Sequence, residues 1–238
     1  MYEVSHRMQT CLDFILQNHI MMIGDNMRFE DRLKHYYQLH PVTSILILIS
    51  GVMFILVLFS GGFSIANLRS WGGLVPEKVL ENREYYRIIT AMFLHGGFFH
   101  FFMNSYVLYI IGGNMERILG PKKYLLLYML SGIASSVLVV FLSTPDSVTI
   151  GASGAIYGIM GGLFMLTILK KHWFRPETVQ WIRNLIIINL VITFLIPNIS
   201  IFGHLGGLIA GLLVLKLIVP DEPYYLTQFD PSRNTYYN

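Results

Sequence analysis

Ser153, in Gly151-Ala152-Ser153-Gly154, and His204, in Phe202-Gly203-His204-Leu205-Gly206-Gly207, stand inside stretches apolar enough to cross a membrane. An ionisable side chain is expensive in hydrocarbon, so a histidine retained there points to function and to a partner. A serine hydroxyl with an imidazole base in reach is a nucleophile for acyl transfer. Hydrolysis of a peptide bond within a bilayer is therefore the chemistry these two residues bring to mind first.

The carboxylate inventory narrows that chemistry. Between Ile88 and Val219 the only acidic residues are Glu116, Asp146 and Glu177, all at the ends of apolar runs or between them. No Asp is placed to orient His204, so a Ser/His dyad is expected, with the third group of a triad replaced by packing or another contact. Tyr157 follows Ser153 by one helical turn and shares its face, where its ring either packs against the imidazole or serves the core. His100 and Asn104, spaced i, i+4, point at one spot. Their N–H groups, with backbone N–H groups at the start of a helix at Ser153, suit a tetrahedral oxyanion; a structural hydrogen-bonding role is the equal alternative for the pair. His95 falls off that face and reads as a loop anchor.

These residues need helices to carry them. With 54% hydrophobic and 13% charged residues among 238, and a mean hydropathy of +0.54, the chain is an integral membrane protein. Runs of the length a spanning helix requires lie at about 42–60, 98–116, 121–142, 152–169, 182–196 and 199–219. Arg183, Asn184 and Asn189 interrupt the run at 182–196 and Pro197 ends it, making it the weakest. Continuous apolarity rather than alternation excludes a β-barrel. The expected fold is all-α, a polytopic bundle of six transmembrane helices with a long interfacial external loop, about Gly61 to Leu94, between the first two. Residues 1–41 are expected to form a short cytoplasmic extension, 42–219 the catalytic domain, and 220–238 a disordered cytoplasmic tail. Within the extension, the apolar residues Leu12, Phe14, Ile15 and Leu16 leave open a short amphipathic helix at the membrane surface.

Basic residues set the orientation. Arg28, Arg32 and Lys34 precede the first run; Lys122 and Lys123, then Lys170, Lys171 and Arg175, occupy alternate connections, whereas 143–150 and 197–200 hold no Lys or Arg. Both termini are then cytoplasmic, and Ser153, His204, His100 and Asn104 share one layer, within roughly 10 Å of the outer boundary at the rise of an α-helix. Glycines allow close approach in lipid: His204, Gly207 and Gly211 share a face, and Gly154, Gly158, Gly161 and Gly162 offer a matching one.

In order, His95-Gly-Gly-Phe-Phe-His100-Phe-Phe-Met-Asn104, Gly112-xxx-Glu116-xxx-Gly120, Gly151-Ala-Ser153-Gly154 with Tyr157, and His204-xx-Gly207-xxx-Gly211 resemble the pattern of the rhomboid intramembrane serine proteases over about residues 42–219. The resemblance implies that Ser153 is the nucleophile, His204 the base, and His100 with Asn104 the oxyanion stabilisers. Gly151, Gly154, Tyr157, Gly207, Gly211, His95 and Glu116 would support them. It also implies single-span membrane proteins as substrates, unwound near the outer interface, with a small residue before the scissile bond; the weak run at 182–196 and the short connection Pro197 to Ser200 are the expected place of lateral entry. Two departures, Tyr86-Arg87 where many bacterial members have Trp-Arg, and Glu116-Arg117 where some place the arginine one position later, touch loop seating rather than chemistry.

Other classes fit less well. A catalytically inactive relative that binds or escorts membrane clients would keep the bundle without needing both Ser153 and His204. A transporter would carry its polar residues near the midplane. Gly-x-Ser-Gly is not the Gly-x-Ser-x-Gly elbow of soluble hydrolases, and no His-Glu-x-x-His motif calls for zinc. The single cysteine, Cys11, cannot form an internal disulfide. No cofactor, metal or nucleic-acid partner is expected. Lipid and transmembrane substrates are, and the oligomeric state is open.

Overall fold

The computed structural model describes residues 28–197, 199–230 and 235–236; the N-terminal apolar residues discussed above, and Cys11, lie outside them. The helices are α1 (Phe29–Leu39), α2 (Pro41–Phe59), α3 (Ile65–Ser70), α4 (Pro76–Leu80), α5 (Arg87–Thr90), α6 (Phe98–Val107), α7 (Gly113–Leu119), α8 (Pro121–Leu142), α9 (Ser153–Leu169), α10 (Pro176–Leu195), α11 (Ile201–Ile218) and α12 (Tyr224–Thr227). Four of them, α2, α8, α10 and α11, are long and apolar enough to cross a membrane; α9 is apolar and slightly shorter.

Proline at the first turn starts α2, α8 and α10, where its missing N–H has no helical partner to lose and its fixed φ suits the helix. That rule places the start of α10 at Pro176 rather than near 182. Arg183 and Asn184 sit inside the helix, because polar side chains alone do not stop one.

α6 and α7 are joined by a π-helical turn, Leu108–Gly112. The widened turn changes the carbonyl pattern, and the carbonyl of Tyr109 accepts a hydrogen bond from the Tyr36 hydroxyl of α1 at 2.6 Å. One turn on, Glu116 is 1% exposed. Its carboxylate accepts from the backbone N–H groups of Val42 and Thr43 and from the Thr43 hydroxyl, each at 2.8 Å. A carboxylate among the unpaired N–H groups of a helix start satisfies them and opposes the dipole. Glu116 thus pins α7 to the beginning of α2.

The segment between α2 and α6 is a folded element of short helices braced by Arg87. That side chain is 3% exposed and donates to the carbonyls of Arg69 and Gly73, each at 2.7 Å, and to the Glu84 carboxylate at 2.6 Å. The element also grips the connection between α8 and α9: Leu74 and Thr149 form a backbone bridge, and Gly151 N–H donates to the Ala91 carbonyl at 2.9 Å.

The centre of the bundle is α9, packed against α11 and α8. Glycine decides this packing at the α9–α11 crossing, where a Cβ on Gly207 would be driven into the Gly154 carbonyl and one on Gly211 into the Gly158 carbonyl. α10 is the loosest long helix: 17% of its apolar window is buried, against 44% for α8. After Pro220, where a disordered tail was expected, α12 forms one turn that buries Tyr225, and Tyr224 lies over Gly120. A two-residue antiparallel pairing, Phe229 with Tyr236, follows.

Candidate active site

Ser153 opens α9 and His204 lies in the first turn of α11. The connection into α9 must turn sharply, and Gly151 does so at φ +116°, a region that L side chains rarely adopt. Ser200 starts α11 by accepting the Gly203 N–H at 3.2 Å, the usual service of an N-cap serine. With α9 and α11 in glycine-mediated contact, Ser153 and His204 line one cavity, together with Gly151, Gly154, Ser135 and Ser200. Its volume is about 20 Å³, room for a water molecule and far too little for a peptide.

His204 is held on two sides. Tyr157 stacks on its imidazole, with ring centroids 4.0 Å apart and planes 16° from parallel. Thr193 of α10 places its Oγ1 2.8 Å from His204 Nδ1. Tyr157 and Thr193 are themselves joined: their hydroxyls are 2.5 Å apart, and both reach the Asn189 carbonyl, at 2.7 and 2.8 Å. His204 and Thr193 are buried, at 8% and 1% exposure.

On the other side of Ser153 stands His100. The Gly96 N–H donates to its Nδ1 at 3.4 Å, which leaves the proton on Nε2. That Nε2 lies 2.7 Å, and Ser153 Oγ 3.8 Å, from the point a Cβ on Gly151 would occupy. A side chain there would collide with the imidazole, so His100 and Gly151 constrain each other. Asn104 is buried one turn further along α6, its amide nitrogen donating to the His100 carbonyl at 2.9 Å. One amide proton is engaged in that bond and the other remains available. His95, 1% exposed, meets His100 edge-on at 5.1 Å between centroids and also packs on Phe101.

The structure therefore brings Ser153, His204, Tyr157, His100 and Gly151 together at one end of the bundle. Gly154, Gly207 and Gly211 lie along the helix contact, Asn104 and His95 stand behind His100, and Glu116 lies elsewhere, against α2. Among the described residues, no three His, Cys, Asp or Glu side chains gather into a set able to hold a metal ion.

Sequence reasoning missed Thr193, the nearest polar neighbour of His204 on α10. Its signal was present: Asn189 and Thr193 are polar residues one turn apart near the end of an apolar run. Asn189 counted only as an interruption of that run and Thr193 drew no notice, because nothing in linear order shows which way α10 faces.

Residues 82–221 match the family model of the rhomboid domain. Among similar curated proteins, the putative rhomboid protease YdcA of Bacillus subtilis is 28% identical over 196 residues, covering 81% of this chain and 96% of that protein. The rhomboid protease GluP of the same organism is 33% identical over 170 residues, 71% of this chain and 33% of its own length. The inactive RHOMBOID-like protein 8 of Arabidopsis thaliana is 34% identical over 188 residues, 73% of this chain and 52% of its own. The chain thus spans less than two thirds of the latter two.

Proposed function

Because the chain belongs to the rhomboid family, we propose that it is an intramembrane serine endopeptidase with Ser153 as nucleophile and His204 as general base. The observation that carries this reading is the shared cavity of Ser153 and His204, with the imidazole clasped between Tyr157 and Thr193.

In this mechanism Ser153 Oγ attacks the carbonyl carbon of the scissile bond as its proton passes to His204 Nε2. The oxyanion that forms is met by His100 Nε2–H, the free amide proton of Asn104 and the unpaired N–H groups at the start of α9. Collapse breaks the C–N bond, and the imidazolium protonates the leaving amine. Water, deprotonated by His204, then attacks the acyl-enzyme and releases the carboxylic product with Ser153 restored.

In our reading α2, the continuous α6–α7 run, α8, α9, α10 and α11 make six spans. Lys122, Lys123, Lys170, Lys171 and Arg175 lie on the cytoplasmic side with both termini, and the cavity opens to the opposite side. The segment from about Gly61 to Leu94 rests at that outer interface. Substrates are membrane proteins, with single spans as the simplest case, cut where a helix unwinds close to the outer surface. A cavity with room for little more than a water requires an element to move before a polypeptide enters, and α10, the least buried long helix, is the one that moves at least cost.

The second reading is a catalytically inactive binder or escort of membrane clients, favoured by one inactive relative at 34% identity. Against it stands the retention of both Ser153 and His204. The deciding experiment is cleavage of a panel of transmembrane segments, in membranes, by the wild type and by Ser153→Ala. Cleavage by the wild type alone supports the protease; cleavage by neither, with no labelling of Ser153 by a fluorophosphonate, supports the binder.

A further inference from the structure

α10 is the least buried of the long helices, yet one of its two buried residues is a polar one, Thr193 at 1% exposure; the other is Ile182. A hydroxyl buried in an apolar setting is costly unless paired, and this one is paired three ways: with the Asn189 carbonyl at 2.8 Å, the Tyr157 hydroxyl at 2.5 Å and His204 Nδ1 at 2.8 Å.

Proton counting gives the last contact one self-consistent direction. Thr193 has one hydroxyl proton, and the Asn189 carbonyl accepts it. The Tyr157 proton has the same carbonyl as an acceptor at 2.7 Å, or Thr193 itself. The remaining lone pairs on Thr193 Oγ1 then face His204, and the matching state is a proton on Nδ1. That tautomer leaves the Nε2 lone pair free toward Ser153. The opposite arrangement, with Thr193 donating to Nδ1, would put the ring proton on Nε2 and remove the base.

We propose that Thr193 is the positioning residue of the base: by accepting a hydrogen bond from Nδ1–H it holds His204 in the tautomer able to deprotonate Ser153, so that docking of α10 and assembly of the dyad are one event. This rests on the reading of Ser153 and His204 as nucleophile and base. The absent carboxylate of a triad is replaced by a neutral hydroxyl, which suits a buried site because it introduces no charge. When the imidazolium forms during attack, the same acceptor faces a charged donor and the bond strengthens, so Thr193 acts on the chemical step more than on binding. When α10 swings away, Thr193 leaves with it and the tautomer is released.

The test uses the full-length protein with Thr193→Val, which keeps the shape and removes the hydroxyl, and Thr193→Ser, which keeps the hydroxyl and removes the methyl group. Two quantities are read: the nitrogen-15 spectrum of His204, assigned by its loss in His204→Gln, and the maximal rate and half-saturation of Ser153 labelling by a fluorophosphonate. The expected result is Nδ1–H in the wild type, mixed tautomers in Thr193→Val, and a maximal labelling rate about ten- to a hundredfold lower, the range for a hydrogen bond to a charged group, with half-saturation unchanged. Thr193→Ser should restore both the spectrum and the rate. An Nε2–H tautomer in the wild type overturns the proposal, as does a Thr193→Val protein labelled at the wild-type rate or a Thr193→Ser protein as impaired as Thr193→Val. If Ser153 is not labelled at all, the protease reading falls, while the spectrum still decides the role of Thr193.

Discussion

Tyr157 lies flat on His204, 16° from parallel at 4.0 Å, while its hydroxyl reaches the Asn189 carbonyl of α10 at 2.7 Å. One side chain of α9 therefore orients the imidazole of α11 and ties it to a third helix. The ring and the hydroxyl can be separated by mutation. Tyr157→Phe keeps the stacked face and should retain most activity, whereas Tyr157→Ala removes the face and should lower kcat further. Equal losses in both variants would show that the hydroxyl alone matters.

Ser153→Ala and His204→Ala should each abolish cleavage of a transmembrane substrate, and a fluorophosphonate should label the wild type but not Ser153→Ala. Substantial turnover by Ser153→Ala would remove the nucleophile from the proposed mechanism.

Asn104→Ala should lower kcat by about a hundredfold, the typical cost of one oxyanion donor, with KM little changed. His100→Ala should cost at least as much, since the His100 ring also packs beside Gly151 and Asn104 donates to the His100 carbonyl. A rise in KM at constant kcat would instead assign these residues to substrate binding.

Gly207→Val places branched carbons where α11 meets the Gly154 carbonyl. Helix separation at that point should cost about 1–3 kcal/mol of stability, the range for overpacking, and should pull His204 from Ser153, so cleavage falls even where the protein remains folded. Thermal melting in detergent with a parallel cleavage assay measures both; wild-type activity would show that the close approach is dispensable.

A covalent tether that holds α10 against α9 should slow cleavage of a transmembrane segment by about tenfold or more, because the proposed mechanism admits substrate only when that helix moves. Labelling of Ser153 by a small phosphonate should persist. Loss of both reactions would point to damage at the site and not to a closed gate.

Glu84 accepts from Arg87 and, at 2.9 Å, from the Tyr86 hydroxyl; these bonds, the arginine first, hold its carboxyl below the usual range. A depressed carboxylate contributes stability above its unfolded value, about 4.3 for glutamate, and loses it as pH falls through the lower folded value. The melting temperature should therefore be level from neutral pH to about 5 and fall more steeply below 4 in the wild type than in Glu84→Gln. Parallel curves would exclude Glu84 from the brace.

Much of this protein is written locally. Apolar runs of the right length, the prolines that begin α2, α8 and α10, and the glycine spacing in α9 and α11 follow from rules that act within a few residues, which is why helices, and Ser153 and His204 as candidates, are legible in linear order. What those rules do not contain is rotation: which face of α10 turns inward, that a π turn at Leu108–Gly112 offers a carbonyl to Tyr36, or that Glu116 caps a helix start 73 residues away at Thr43. Such pairings depend on side chains from several helices satisfying one another's hydrogen bonds where water is absent. Residue types and spacing name the groups able to do chemistry; the assembled bundle alone sets Thr193 beside His204, because a buried hydroxyl finds its partner by packing and not by position along the chain.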